Sequence, residues 1–232
     1  MNIENQILYN DAYCVAIHKP PLIPSQPDIT GDTSLIQYAE SFFKQTLFLI
    51  NRLDRVASGI VLLAKTVEAA ATLSAQFQNK TTKKIYFAIV ENEPPQTEAT
   101  LIHFLKKNAQ SNTSKAFDEE EKGTKKAELN YSVVGKSDRY CLLKVQLSTG
   151  RHHQIRAQLS KVGCPIKGDV KYGARRSNPN RAIHLHAFQL MFTHPQTGKN
   201  ISLEAPPPSN DTLWDYFSDT IKKESLPLSI LG

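Results

Sequence analysis

The 232-residue sequence contains little cysteine, and its cysteines do not cluster. Cys14, Cys141 and Cys164 lie far apart, form no Cys-x-x-Cys pair and are odd in number. This pattern excludes a zinc ribbon and favours reduced thiols over a disulfide framework. Because a globule of this length buries roughly 70–75% of its unfolded surface, the chain needs neither disulfides nor a structural metal to fold.

Long apolar runs and targeting patterns are missing as well. The run Gly59–Ala64 is far shorter than the ~18 apolar residues that a membrane span needs. The N-terminal segment has no basic stretch followed by an apolar run, so it is not a signal peptide. Neither a Gly-x-Gly-x-x-Gly string nor a Walker-type motif occurs, so no nucleotide cofactor is expected. We therefore expect a soluble, cytoplasmic protein, and we expect it to act as a monomer.

The charge balance of the chain is mildly basic. Lys and Arg number 28 against 22 Asp and Glu, which gives a net charge of +6. Hydrophobic residues make up 40% and charged residues 22% of the chain, which is ordinary for a folded protein. The positive excess favours a polyanionic partner, although only mildly, since many basic proteins bind none.

Apolar residues at helical spacing predict three helices. The first begins at a cap on Asp32 or Thr33, and the second spans 67–79 with Thr66 as its cap. The third ends at Gly163, where a C-terminal glycine cap belongs. The inward-facing stripe of the second helix is predicted to contain Val67, Ala70, Ala71, Ser74 and Phe77.

Strands outnumber helices in this sequence. Alternating or apolar segments predict a strand pair over 7–19 and strands near 85–90, 129–133, 141–147 and 182–192. The polar stretch 106–127 is predicted to be a solvated loop or excursion. Because strands and helices do not strictly alternate, we expect an α+β fold around a mixed, largely antiparallel sheet.

An acid between two arginines, Asp54 between Arg52 and Arg55, is the first candidate for chemistry. Nearby positive charge favours the ionised carboxylate, which suits a nucleophile better than a proton donor. A surface loop with a local ion pair, worth ~0–1 kcal/mol, fits the same charge pattern. Both interpretations stay open from the pattern alone.

The segment Thr149–Arg156 is the second candidate. Arg151, His152 and Arg156 occur at helical spacing, so their donors are placed to bind phosphate or carboxylate near a helix N-terminus. Arg156 also follows the inward-facing Ile155 and can reach a cleft while its stem packs on the core. A basic, solvated helix face fits this pattern equally well.

Tyr86 and three histidines complete the candidates. Tyr86, on a predicted strand, fits either a stack on a nucleic-acid base or a core aromatic. His184, His186 and His194 suggest a metal at first sight. No acid or cysteine completes this set in the sequence, so we expect no metal site.

Taken together, these segments resemble the RluA-type pseudouridine synthases. The strings that carry the likeness are NRLDRVASGIVLLAKT (51–66), KKIYFAIVE (83–91), TGRHHQIRAQL (149–159), GCPIKGDVKYG (163–173) and LHAFQLMFTHP (185–195), in the order that this family shows. The likeness covers about 7–210 and leaves 211–232 as a C-terminal tail. Asn51 stands where the family usually has His, Ala57 where Thr is usual, and Gln158 where His often follows the last arginine.

The resemblance implies a pseudouridine-synthase-like α+β fold, with the sheet flanked by helices and loops around a central cleft. It implies one catalytic domain over 1–232 without a separate N-terminal RNA-binding domain. The implied reaction isomerises a flipped-out uridine of ribosomal or transfer RNA to pseudouridine. It needs no metal or redox cofactor, because bond breaking and bond making balance within one nucleotide.

The resemblance also implies residue roles. It assigns Asp54 as the nucleophile, Arg156 as its salt-bridge partner, and Tyr86 as the residue that stacks on the target base. Arg52 is expected to help hold the flipped-out nucleotide. The residues expected to bind RNA share positive charge or ring nitrogen donors; they are Arg52, Arg55, Arg151, His152, Lys167, Lys171, Arg175 and Arg176.

Two other functional classes stay open. A catalytically silent RNA-binding module keeps the basic surface, and loss of Asp54 would have signalled it, whereas Asp54 is present. A carboxylate-dependent glycoside hydrolase usually requires a second acid across the scissile bond. No neighbouring acid within the motifs offers itself, and release of free sugar would reveal such an enzyme.

Overall fold

The computed structural model describes residues 1–225, and the end of the predicted tail, 226–232, lies outside the described residues. The chain groups into two compact units. Unit 1 contains Met1–Lys84 and the described residues from His186 onward, and unit 2 contains Ile85–Leu185. The single catalytic domain expected from the sequence stays a prediction, because this grouping reports compactness and not independent folding.

Strands dominate both units. The strands are β1 (Ile7–Asn10), β2 (Cys14–Lys19), β3 (Phe48–Leu49), β4 (Ser58–Ala64), β5 (Lys83–Val90), β6 (Glu98–Asn108), β7 (Thr113–Phe117), β8 (Lys125–Lys136), β9 (Cys141–Leu147), β10 (Leu185–Thr193) and β11 (Asn200–Glu204). The helices are α1 (Leu35–Phe43), α2 (Val67–Gln78), α3 (Gln154–Lys161), α4 (Thr212–Tyr216) and α5 (Ser218–Glu224). Among residues 1–225, none of these helices has the length and apolar composition to cross a bilayer.

Unit 1 contains a mixed sheet centred on β4. This strand pairs antiparallel with β2 and β3 and parallel with β10. β1 adds to β2 and β11 adds to β10 in antiparallel pairs. All seven residues of β4 are buried, as expected for a nearly continuous apolar run.

Unit 2 contains an antiparallel sheet with the strand order β5-β9-β8-β6-β7. Helix α3 packs against β6 and β7 of this sheet. Together with the mixed sheet of unit 1, this arrangement confirms the predicted α+β class with a largely antiparallel sheet.

The prediction of a loop over 106–127 is wrong. This stretch contains the end of β6, all of β7 and the start of β8, which pair as antiparallel arms. Ala116 and Ala127 are buried in a cluster with Ala157 and Tyr172, while lysines alternate with them on the outer face. Because the inward-facing residues are small, they add little hydrophobicity to the sequence. The alternation of buried and exposed positions is therefore difficult to recognise among the neighbouring charged residues.

The predicted start of α1 is also wrong. Its cap is Ser34, whose backbone N–H and hydroxyl both donate to the Gln37 side chain at 2.9 and 2.8 Å. Asp32 instead forms an ion pair with Arg55.

The second predicted helix has the predicted cap, because the Thr66 hydroxyl oxygen accepts from the Ala69 N–H at 3.1 Å. Its predicted stripe is right in part, since Ala70 and Phe77 pack against the core cluster, but the fully buried positions are others. Ala69 and Leu73 are buried against β4, whereas Val67 is 63% exposed. Several small residues occur in succession in this helix and can lie on either the buried or the exposed face. Their spacing therefore does not determine which face of the helix points toward the core.

Candidate active site

Asp54 lies half-buried in the loop between β3 and β4, and two clamps hold the loop's backbone. The first clamp is Ser25. Its hydroxyl donates to the carbonyl of Leu53 at 2.9 Å and accepts from the Leu53 N–H at 3.0 Å. Within the loop, the Ala57 N–H donates to the carbonyl of Asp54 at 3.1 Å. The residue that precedes Asp54 is therefore fixed on both of its backbone polar groups.

The second clamp is the fully buried side chain of Lys19 at the end of β2. Its ammonium donates to the carbonyls of Arg55 at 3.3 Å and Ala57 at 2.6 Å. It also donates to the carbonyls of Pro20 and Ile23 at 3.0 and 2.9 Å. Lys19 thus ties the loop that carries Asp54 to the proline-rich segment after β2.

Burial controls the ionisation of Lys19. Desolvation lowers the pKa of Lys19 to about 7, the Asp54 carboxylate opposes this shift, and the Arg55 charge adds to it. Sequence reasoning missed Lys19, because only its position before two prolines distinguishes it from a surface lysine.

The two arginines that flank Asp54 differ in their contacts. Arg55 forms ion pairs with Asp32 and, at 3.7 Å, with Asp28. It therefore holds the 28–32 segment and is partly neutralised. Arg52 is exposed. RNA binding by either residue stays a prediction.

Arg156, on α3, is buried in a bidentate ion pair with Asp169. Its Nε donates to Oδ2 at 2.7 Å and its Nη2 donates to Oδ1 at 2.8 Å. Arg156 is 5% exposed and Asp169 is 2% exposed, so of the two interpretations left open by the sequence, the solvated helix face is wrong for this residue. The predicted pairing of Arg156 with Asp54 stays a prediction.

Asp169 is the residue that the sequence interpretation missed in this unit. It follows Gly168, whose φ of +88° and close neighbour demand glycine: an added Cβ would lie 2.4 Å from the Asn178 amide nitrogen. A short 3₁₀ helix, Val170–Tyr172, follows and places the Tyr172 ring 4.8 Å from the Arg156 guanidinium carbon. The string GCPIKGDVKYG (163–173) therefore supplies two residues, Asp169 and Tyr172, that hold the Arg156 side chain.

Three of the predicted RNA-binding residues make bonds to the β6–β8 arms. Arg151 Nε donates to the carbonyl of Lys126 at 3.0 Å. Lys171 Nζ donates to the carbonyl of Ser111 at 3.1 Å. His152 Nδ1 lies 2.9 Å from the Ser114 hydroxyl. Arg151 and Lys171 remain exposed despite these bonds, so contact with a ligand is sterically open to both.

Tyr86 lies on β5, in register with Val145 of β9. It is half-buried, whereas its neighbours Ile85 and Phe87 are buried. This exposure distinguishes Tyr86 from the core aromatic Phe87 and leaves room for a base-stacking role, which stays a prediction.

The three histidines do not share one site. Both nitrogens of His186 lie at 2.8 Å from partners, Nδ1 from the Ser58 hydroxyl and Nε2 from the Ala205 carbonyl. His184 Nδ1 lies 3.1 Å from the amide of Asn178. His194 is near Asp11 and Cys14, so an acid and a cysteine do accompany it.

That Asp11 cluster is already satisfied by hydrogen bonds. His194 Nε2 lies 2.5 Å from Asp11 Oδ2, and the Tyr9 hydroxyl donates to the same oxygen at 2.7 Å. The Cys14 N–H donates to Oδ1 at 2.8 Å. Burial raises the pKa of the Cys14 thiol to about 12, which disfavours the thiolate that a metal would need. These contacts indicate that Asp11 stabilises the turn between β1 and β2.

Two of the three departures from the family pattern form side-chain hydrogen bonds within the fold. Asn51 accepts from the Leu62 N–H at 2.7 Å and donates to the Ile60 carbonyl at 3.2 Å, which joins the loop start to β4. Ala57 is buried. Gln158 is buried and donates to the Leu101 carbonyl at 3.1 Å.

Comparison with known proteins places these motifs in a family context. The sequence model described as RNA pseudouridylate synthase matches residues 13–161. The chain is 32% identical over 210 residues to an uncharacterized RNA pseudouridine synthase of Bacillus subtilis, covering 88% of this chain and 73% of that protein. It is 31% identical over 212 residues to ribosomal large subunit pseudouridine synthase C of Pasteurella multocida, covering 88% and 65%.

A solved structure has the same fold. Human RNA pseudouridylate synthase domain containing 4 superposes with a TM-score of 0.73 at 22% identity, over 97% of this chain and 95% of that one.

Proposed function

This chain belongs to the RNA pseudouridylate synthase family, of the RluA type, and we propose that Asp54 is the nucleophile of its uridine isomerisation. The family reaction converts uridine in RNA to pseudouridine. The observation that carries the assignment of Asp54 is the doubly clamped loop. Ser25 and Lys19 hold the backbone on both sides of a carboxylate that is only half-buried. Such a loop orients the nucleophile before the substrate arrives.

The proposed reaction balances within one nucleotide. The Asp54 carboxylate attacks ribose C1′ of the target nucleotide and forms a C1′–O bond as the bond from C1′ to uracil N1 breaks. The freed uracil turns, C1′ bonds to C5, and Asp54 is released. The proton of C5 passes to solvent while N1 gains one, so the step requires no oxidant, reductant or metal.

Arg156 is proposed as the charge partner of Asp54. Asp169 fixes two nitrogens of the guanidinium and so fixes its orientation. Tyr86 is proposed to stack on the extruded base, which offsets part of the few kcal/mol that flipping costs.

Ribosomal or transfer RNA is the proposed substrate. The Pasteurella relative is named for the large ribosomal subunit, which supports the first of these. Action as a monomer, without cofactor and in the cytoplasm, belongs to the same proposal. Mapping pseudouridines in cells with and without this gene would identify the RNA and the position.

The nucleophile is tested with Asp54→Asn, which keeps the size of the side chain but removes its charge and nucleophilic oxygen. Tritium release from RNA labelled at uridine C5 should fall to background, while RNA binding persists. Asp219→Asn, at an exposed acid of α5, is the matched control and should react like wild type. A folded Asp54→Asn protein with near wild-type turnover would falsify the assignment.

The same assay separates the alternatives. A silent RNA-binding module predicts wild-type protein that binds RNA and releases no tritium. A glycoside hydrolase predicts free sugar or base in the products.

A further inference from the structure

Unit 2 contains a polar cavity, of about 640 Å³, that none of the proposed catalytic residues lines. The turn between β8 and β9 forms one side, and the segment after the 3₁₀ helix forms the other. We call it the arginine pocket, defined by Arg139, Tyr140, Lys167, Arg175 and Arg176. Its volume lies within the ~300–1,000 Å³ of typical ligand sites.

The β8–β9 turn presents Arg139 and Tyr140 on a fixed backbone. The Ser137 N–H donates to the Tyr140 carbonyl at 2.9 Å. The Tyr140 N–H donates to the Ser137 hydroxyl oxygen at 3.1 Å. Arg139 is exposed and Tyr140 is half-buried, so both side chains can meet a ligand.

The facing segment is fixed as well. The Arg175 N–H donates to Glu91 Oε2 at 2.8 Å, and the Ala174 N–H donates to the Asp169 carbonyl at 3.1 Å. Lys167 Nζ donates to the Asn178 side chain at 2.9 Å. The segment is thus anchored at the buried acid that also holds Arg156.

The charge in this pocket is positive and incompletely neutralised. Five cationic and three carboxylate side chains line it. Two of the acids are engaged, since Glu93 pairs with Lys136 and Glu91 accepts the bond from Arg175. Across residues 1–225, no ion pair within 4 Å joins Arg139, Arg175 or Arg176 to a carboxylate.

We infer that the arginine pocket binds one nucleotide of the RNA substrate other than the target uridine, with phosphate on Arg139, Arg175 and Arg176 and a base on Tyr140. Guanidinium groups bind phosphate through paired donors, and an aromatic face stacks on any base. The combination of both features around one cavity fits a nucleotide better than an acidic peptide, because a nucleotide carries phosphate and a flat ring in one unit, whereas Asp and Glu side chains carry no ring. Identification of the ligand as RNA rests on the proposed function. Of the residues that define the pocket, the sequence predicted Arg175, Arg176 and Lys167 as RNA contacts, and the structure adds Arg139 and Tyr140.

The test measures the dissociation constant of a transcript for Arg175→Ala/Arg176→Ala and for Tyr140→Ala and Tyr140→Phe. The double arginine variant should weaken binding about ten-fold and reduce the slope of log affinity against log salt by roughly 0.7 for each phosphate that is no longer neutralised. Tyr140→Ala should weaken binding roughly five-fold or more, and Tyr140→Phe should restore it because stacking needs only the ring.

Lys106→Ala/Lys107→Ala, which removes two exposed charges of β6, is the matched control and should change neither affinity nor salt slope. The inference is overturned if the arginine and lysine double variants bind alike, or if Tyr140→Ala binds like wild type. Because binding is measured without chemistry, these outcomes are separate from the proposed function, which fails if wild-type protein releases no tritium.

Discussion

At the residue scale, partners and not residue type decide what each arginine does. Arg55 is held by Asp28 and Asp32, and Arg156 is held by Asp169 in the protein interior. Arg175 and Arg176 are exposed and line a cavity. A guanidinium that is already paired inside the protein orients other groups, whereas an exposed one is available to a polyanion.

The Arg156–Asp169 pair yields a prediction. Asp169→Asn should destabilise the fold by about 3–5 kcal/mol, because it leaves a buried guanidinium without its countercharge. Turnover at saturating RNA should fall as well, since Arg156 no longer keeps its orientation. Arg156→Lys should not rescue either property, because an ammonium cannot make the two parallel bonds. Urea unfolding and tritium release at low temperature measure the two effects.

The control for this pair is an exposed acid that pairs with the same helix. Asp118 pairs with Lys161 of α3 at 2.8 Å, but its side chain is 72% exposed. Asp118→Asn should therefore change stability little. Equal losses for the two Asn variants would contradict the claim that burial makes the Asp169 pair costly to break.

At the element scale, the approach of β4 to β10 depends on one glycine. Gly59 has a φ of +120°, and an added Cβ would lie 2.3 Å from the Ala187 carbonyl oxygen of the parallel partner strand. Gly59→Ala should cost about 3 kcal/mol, from overpacking together with backbone strain. Displacement of β4 would also move the loop that carries Asp54, so activity should fall.

Two other glycines separate the cost of overpacking from the cost of backbone strain. Gly198 has a φ of +69° but nothing within 4 Å of an added Cβ, so Gly198→Ala tests strain alone and should cost about 1 kcal/mol. Gly150 has neither constraint, and Gly150→Ala should be near neutral. The three values come from chemical denaturation, and a Gly59 variant no less stable than the Gly198 variant would exclude the steric explanation.

The same scale shows what the sequence could predict. The alternation of β9 is a strong local signal, and this strand forms where it was expected, at Cys141–Leu147. The rotation of α2 and the arms within 106–127 depend on which small residues face the core, which only tertiary packing decides.

The candidate site divides in the same way. Asp54, Tyr86 and Arg156 belong to strings that resemble a family, so the sequence could name them. Lys19 acts by binding backbone carbonyls, and Asp169 acts by holding the Arg156 side chain. Sequence spacing predicts neither kind of contact.

At the scale of the whole molecule, stability should depend on pH through a buried histidine network. His186 bonds Ser58 of β4 and the Ala205 carbonyl after β11, and its ring lies 5.6 Å from that of His18 on β2. Burial lowers the pKa of His186 to about 3 and also lowers the pKa of His18. Protonation of either ring would therefore place a positive charge in the buried interior of unit 1, which disfavours the folded state.

The direction of this dependence follows from proton binding. Between pH 6.5 and about 3, the unfolded chain binds a proton at His186 and the folded chain does not. Stability from this group is therefore complete above pH 6.5 and is lost as the pH falls toward 3. Lowering the pH from 7 to 4 should cost about 3 kcal/mol through His186. His186→Gln removes that proton site, so the wild-type advantage in urea unfolding should shrink as the pH falls. Parallel stability curves for the two proteins would show that acid unfolding proceeds through other groups.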